Sequence, residues 1–243
     1  MDRLLEATAA AERDHFWFRG FRRFVTPLIE TAAAGRADLS ILDCGCGTGF
    51  NLPLLRRHGR AVGIDLTWTG LRFAQTRGER RVAQASATHL PFADASFDLV
   101  TTFDRLFALD DEAEGRALSE MVRVLRPGGH LVVNVAALEF LKGNHSILAR
   151  EVRRYTRGTL GSQLTRAGFR IRRMTYTNAS ILPALMLVRL AQRASGHQES
   201  EGEIAIPSVP VNAALTAVLA AEAAVVRHMD LPFGSSLLAL AAR

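Results

Sequence analysis

The chain has little of what would mark a secreted, metal-binding or membrane-spanning protein. Its 243 residues hold two cysteines, Cys44 and Cys46. Thiols separated by one residue do not readily close a relaxed disulfide, and no Cys/His cluster adds the further ligands that a metal site needs. No metal is expected, and both cysteines read as small residues in a tight turn. No unbroken apolar run approaches the roughly 18–20 residues that span a bilayer. Met1–Glu12 carries acids without the apolar centre of a signal peptide. A cytoplasmic protein without a transmembrane segment is the expectation. The net charge is +6, yet no basic run is interleaved with aromatics; the one local concentration is Arg150, Arg153, Arg154 and Arg157. That pattern argues against nucleic acid and for an anionic or apolar small molecule as partner. Internal repeats are absent too. A homodimer is compatible with this composition.

What the chain does have is concentrated in nine residues, Ile41-Leu42-Asp43-Cys44-Gly45-Cys46-Gly47-Thr48-Gly49. A short apolar strand ends in an acid and is followed by glycine at every second position. Such backbone turns sharply around a ligand, and a following helix would aim its free amides at the same place. The flanking sequence alternates strand-like and helix-like segments, which predicts a mainly parallel sheet covered on both faces. Strands are expected at Ser40–Cys44, Arg60–Leu66, Arg81–Ala85, Phe97–Phe103, His130–Ala136, Phe169–Thr177 and Ser235–Ala242. The clearest helix is Asp111–Leu125, stopped by Arg126-Pro127-Gly128-Gly129. Two apolar helices, near Ser180–Arg193 and Val211–Met229, interrupt the alternation and flank a polar stretch, Ser195–Glu203. They read as extra core, as a lid, or as a surface that docks on a membrane or lipid.

A second anchor is Asp65, 22 residues beyond Asp43, at the end of the second strand. An acid at this distance from a glycine loop is placed to accept hydrogen bonds from ribose hydroxyls. The loop itself is Gly-x-Gly-x-Gly, tighter than the Gly-x-Gly-x-x-Gly that makes room for a pyrophosphate. An adenosine-bearing cofactor without phosphates suits it better.

With Leu42–Gly49, Val62–Leu66, Thr88–Phe92 followed by Phe97–Val100, and Met121–Gly129, the chain resembles the class I S-adenosylmethionine-dependent methyltransferases. The resemblance implies one domain over residues 1–243 with a Rossmann-like, seven-stranded, mostly parallel sheet. Within it, residues 1–38 would form a helical cap and 39–177 the cofactor-binding core; 178–232 would be the helical insertion and 233–243 the last strand. It also implies S-adenosylmethionine as cofactor. Asp43, Gly45, Cys46, Gly47 and Gly49 would cradle the amino-acid and ribose parts, Asp65 the ribose, and Leu66 the adenine. Ser86, Ala87 and Thr88 would edge the adenine, with Ser86 where the family usually has an aspartate, and Asp104 would lie near the sulfonium. His15-Phe16-Trp17-Phe18-Arg19, the stretch from His145 to Tyr155-Thr156, and Leu231–Ser236 resemble a narrower bacterial small-molecule methyltransferase subgroup. Trp17 and Phe18 would either close over the cofactor or pack an N-terminal helix onto the core, and Trp17 and Arg19 are counted among the cofactor-binding candidates. The chain departs from the subgroup at Leu106-Phe107-Ala108, where Leu-Glu-His is common, and at Ser146 and Glu151.

Methyl transfer needs alignment more than acid–base help, and a base only where the acceptor must lose a proton. Candidates for that role are His145, Tyr155, Asp104 and Glu151. Arg153, Arg154 and His145 are candidates for gripping the substrate, although the arginines also suit a solvated basic surface. Three readings stay open: transfer of methyl to O, N or C of a small molecule; non-methylating chemistry such as cyclisation on the same cofactor; and a non-catalytic binding protein.

Overall fold

A computed structural model describes residues 2–142, 151–195 and 204–243. His145, Ser146, Arg150 and most of the polar stretch (196–203) lie outside the described residues. The strands are β1 (Leu39–Cys44), β2 (Gly59–Asp65), β3 (Val82–Gln84), β4 (Phe97–Phe103), β5 (Leu125–Ala136), β6 (Arg170–Thr177) and β7 (Ser236–Ala242). They form one sheet in the order β3-β2-β1-β4-β5-β7-β6. β1 to β5 run parallel, and β7 lies antiparallel between β5 and β6. The expected seven-stranded, mostly parallel sheet is therefore the one observed.

The described helices are α1 (Asp2–Ala11), α2 (Phe16–Ala33), α3 (Leu52–Leu55), α4 (Trp68–Thr76), α5 (Asp111–Val124), α6 (Arg157–Arg166), α7 (Leu182–Ser195) and α8 (Val209–Val226). Their starts follow local chemistry. Asp110 accepts a hydrogen bond from the Ala113 amide to begin α5, and Thr156 and Thr159 form a capping box on α6. His15 opens α2 by accepting from the Trp17 amide through Nδ1 at 3.1 Å, with its ring stacked on Phe16. Part of the aromatic-basic cluster is thus a helix start.

Strand side chains alternate between the two faces, and each face has its own core. Leu42, Val100, Val133, Leu237 and Ala239 pack with α5 and α6. Ile41, Leu99, Val132, Leu238 and Leu240 pack with α2, α3 and α8. The insertion helices begin and end within a few residues of their expected positions, and α8 belongs to the second core through Leu219, Ala223 and Val226.

One helix bears on the expectation that no segment spans a membrane. Val209–Val226 is 18 residues long and apolar enough to cross a membrane by length and composition. Counting unbroken runs missed it because Asn212, Thr216 and Glu222 interrupt the apolar sequence. These three face the protein: Asn212 binds the Phe16 amide, Thr216 binds the Asn212 carbonyl, and Glu222 binds the amides of Ala179 and Ser180.

Candidate functional site

The sheet order reverses direction between β1 and β4, and open α/β sheets place their ligands beyond the strand ends at such a point. Three acids converge there from neighbouring strands: Asp43 within β1, Asp65 ending β2 and Asp104 just after β4. Asp43 is buried and accepts a hydrogen bond from the Thr101 hydroxyl at 2.7 Å. Burial pushes its carboxyl up to about 7, with the Thr101 bond opposing the rise. Asp65 is buried too. One of its oxygens accepts from the Gly47 amide at 2.8 Å, the other from the Thr67 amide at 2.8 Å and from the Thr67 hydroxyl. A carboxylate offers about four acceptor positions, so these three bonds leave one unused.

The glycine loop spends its amides on itself. Gly45 and Cys46 both donate to the Ile64 carbonyl, Gly47 to Asp65, and Gly49 to the Cys46 carbonyl. Four of the five amides from Gly45 to Gly49 are thereby taken, which suits a cofactor that lacks a pyrophosphate. Gly45 and Gly49 hold positive φ angles and leave no room for a side chain. A Cβ on Gly45 would fall 2.1 Å from Cγ of Arg105, and one on Gly49 would fall 2.7 Å from Cβ of Ala74. Cys44 and Cys46 are free and buried, and burial pushes both thiols up, keeping them protonated. The donor set at this point (open carboxylate, self-satisfied loop, buried acid) therefore accommodates a cationic, adenosine-bearing group such as S-adenosylmethionine.

Beside the loop lies a polar cluster that the sequence only partly marked. Asp104 adopts φ 53°, a conformation that short polar residues tolerate. Its carboxyl accepts from the Asn134 side chain at 2.9 Å. Burial raises it to about 6; Arg105 and Asn134 pull it down and Glu151 pushes it up. Glu151 pairs with Arg154 at 3.2 Å, and Arg154 also donates to the Ala137 carbonyl. Arg105 acts on both Asp43 and Asp104 while its stem lies against Gly45. Neither Arg105 nor Asn134 had a sequence signal; both depend on the turn after β4 meeting β5.

The other acceptor-side expectations are placed differently. Tyr155 is fully buried and donates its hydroxyl to Glu114 at 2.8 Å. Arg153 pairs with Glu114 and Asp111 and donates to the Leu109 carbonyl. Glu114 has no exposed surface, and its carboxyl is raised mainly by burial. The hydroxyl of Tyr155 and the guanidinium of Arg153 thus serve a buried network that ties the segment after β5 to α5. His145 lies outside the described residues.

On the adenine side Leu66 is 62% exposed. Ser86 and Thr88 share a hydroxyl hydrogen bond of 2.8 Å, with half-buried Ala87 between them. Trp17 packs on the α2–α8 core. Arg19 is exposed and lines a groove on the outer side of the loop, shared with Gly49 and Phe50. The N-terminal cap reaches the loop by other residues: Leu5 is the nearest side chain to Gly47, and buried Glu12 accepts from Thr48 at 2.6 Å and pairs with Arg77. Nothing in the N-terminal sequence singled out Glu12.

Residues 42–133, which contain the glycine loop and all three acids, match the family described as methyltransferase domain. Over this segment the chain is similar to S-adenosylmethionine-dependent methyltransferases. It is 40% identical over 107 residues to the demethylmenaquinone methyltransferase of Lactiplantibacillus plantarum, covering 40% of this chain and 44% of that protein. The chain spans about half the length of the curated relatives it matches. Among solved structures, an S-adenosylmethionine-dependent methyltransferase from Mesorhizobium loti aligns with a TM-score of 0.59 at 19% identity, covering 89% of this chain and 96% of that one. The cyclase SpnF aligns at 0.56 and 22% identity, covering 91% and 81%. Both likenesses speak to the methyltransferase fold alone.

Proposed function

We propose that this methyltransferase binds S-adenosylmethionine at the β1–β4 switch point and methylates O, N or C of a small, apolar or anionic molecule, with residues 1–243 working as one domain. The observation that carries the reading is the convergence of Asp43, Asp65 and Asp104 around a glycine loop with four of its five amides already bonded. Asp65 holds the ribose, and Leu66, Ser86, Ala87 and Thr88 line the adenine. Asp43, with Gly45, Cys46, Gly47 and Gly49, faces the cationic amino-acid end, where a positive charge favours the ionised carboxylate. Trp17 supports the site only through the α2–α8 core, and Arg19 stands in the groove outside the glycine loop.

When bound, S-adenosylmethionine supplies an activated methyl group whose sulfur leaves with the bonding electron pair. Asp104, poised near 6, takes a proton from an acceptor that carries one. Arg154 and Glu151 orient the acceptor, and Arg105 balances the charge of the flanking acids. Arg153 borders the acceptor side through its ties to Glu114 and Asp111, and His145 is kept as a candidate for gripping the acceptor. Tyr155 holds that rim through Glu114. Two buried free cysteines suit a reducing compartment such as the cytoplasm.

The family's Leu-Glu-His position carries Leu106-Phe107-Ala108 here, without an acid–base group, and this favours non-methylating chemistry on the same cofactor as the second reading. Methyl-labelled S-adenosylmethionine, incubated with hydroxyl, amine and activated-carbon acceptors, separates the two. Label in the acceptor, matched by S-adenosylhomocysteine, is expected. Tight binding with all label retained on the cofactor would sink the methyl-transfer reading.

A further inference from the structure

Helix α8 lies at the surface but has no charged outer face. Its one charged residue, Glu222, is buried and accepts hydrogen bonds from the amides of Ala179 and Ser180 and from the Ser180 hydroxyl. The inward face, with Leu219, Ala223 and Val226, is core. The outward face presents Val211, Val218 and Val225, all exposed and seven residues apart, with exposed alanines between them. A surface helix of a soluble protein ordinarily puts charged or polar residues there. Nearby segments add to the apolar area: Leu187 is 68% and Leu190 58% exposed on α7, and Val209 is 84% exposed at the start of α8.

The far end of the same helix is strongly basic. Ala220, Ala224, Arg227 and His228 wall a groove of about 860 Å³ against α2, and the groove carries eight arginines and two glutamates. Those glutamates are committed, Glu30 to Arg227 and Glu79 to Arg56. Among the described residues no acid pairs with Arg13, Arg19, Arg23 or Arg57. The groove runs along Ala220, Ala223 and Ala224, the last of them next to Val225 of the apolar stripe.

We propose that α7, the outer face of α8 and the arginine groove together form a docking face for a bilayer containing anionic phospholipids. Valine and leucine side chains enter the acyl boundary, and the guanidinium groups meet headgroup phosphates. Each half of the surface alone fits other partners; the two halves on one helix fit this one. A polynucleotide would leave the valine stripe in water. A second copy pairing through a two-fold axis would bring like-charged rims together. The inference rests on the surface and is independent of the methyl-transfer reading.

The test is co-sedimentation of the full chain with phosphatidylcholine vesicles, with and without about one third phosphatidylglycerol. Partition onto the anionic vesicles is expected to be at least about tenfold stronger and to fall steeply with salt. Val218→Glu with Val225→Glu, and separately Arg23→Glu with Arg57→Glu, should each weaken it by about tenfold or more. Both pairs are exposed, and unchanged cofactor affinity by calorimetry checks that the variants fold. Wild-type protein left in the supernatant with both vesicle types would overturn the proposal. So would vesicle binding that the valine variant leaves intact, or a solution dimer that the same variant dissociates while vesicles bind nothing.

Discussion

Strands β1 to β4 and the region beyond β5 hold their polar groups in different ways. In the first, Asp65 has partners near in sequence, Thr67 two residues on and Gly47 eighteen residues back, while Asp43 reaches Thr101 58 residues on. In the second they are distant: Tyr155 to Glu114 spans 41 residues, Glu222 to Ser180 spans 42, and Asn212 to the Asp14 carbonyl spans 198. The glycine-loop half lies within the segment that matches the methyltransferase domain, and the region beyond β5 is held by tertiary contacts to α5, α2 and α8. Substitutions in the first should therefore disturb one loop and its ligand. In the second they should loosen whole segments.

The largest expected effect is in the cofactor half. Gly49→Ala combines a φ of 72° with a Cβ 2.7 Å from that of Ala74, and should cost about 2–4 kcal/mol of stability. Thermal unfolding with and without S-adenosylmethionine measures it; an unchanged Tm would mean that the loop is not packed against α4 as described. Next comes the acceptor half. Tyr155→Phe leaves buried Glu114 with Arg153 alone, and should lower stability by about 1–3 kcal/mol in urea titrations. A wild-type midpoint would show that the network does not hold the rim and would return Tyr155 to the catalytic candidates.

A pH series sharpens the contrast. The Asp43 carboxyl sits at about 7 and that of Asp104 at about 6, both raised by burial. Their charged forms attract a cationic cofactor, so affinity should rise with pH between about 6 and 8 and then level off. Asp43→Asn should remove the part of the rise centred near 7; a wild-type pH profile in that variant would contradict the assignment. The smallest effect is expected at the exposed Arg116–Glu112 pair on α5. Arg116→Ala should cost no more than about 0.5 kcal/mol, and a larger loss in the same urea titration would show that this surface belongs to the acceptor-side network.

The same contrast accounts for what was legible in the sequence. All seven strands could be read because the alternation of apolar segments with Gly and Pro breaks is local. Asp43, the alternate glycines and Asp65 could be read because their spacing is dictated by a strand–turn–helix unit. Arg105 and Asn134 could not, since their roles arise where a turn meets a strand 30 residues away. Tyr155 and Arg153 looked like substrate groups because nothing local reveals Glu114, an acid on a helix whose outer face is rich in acids. Trp17 and Arg19 were aimed at the cofactor by resemblance; Trp17 packs on the core and Arg19 faces the groove. Glu12, which reaches the loop, sits in the turn just after α1 and belongs to no motif.

The central claim is that Asp65 closes an S-adenosylmethionine site at the end of β2. Calorimetric titration of S-adenosylmethionine into the wild-type chain and into Asp65→Ala tests it most directly. The account predicts saturable one-site binding by the wild type and an affinity lower by about tenfold to a hundredfold in the variant. Equal affinities, with both proteins folded, would contradict it.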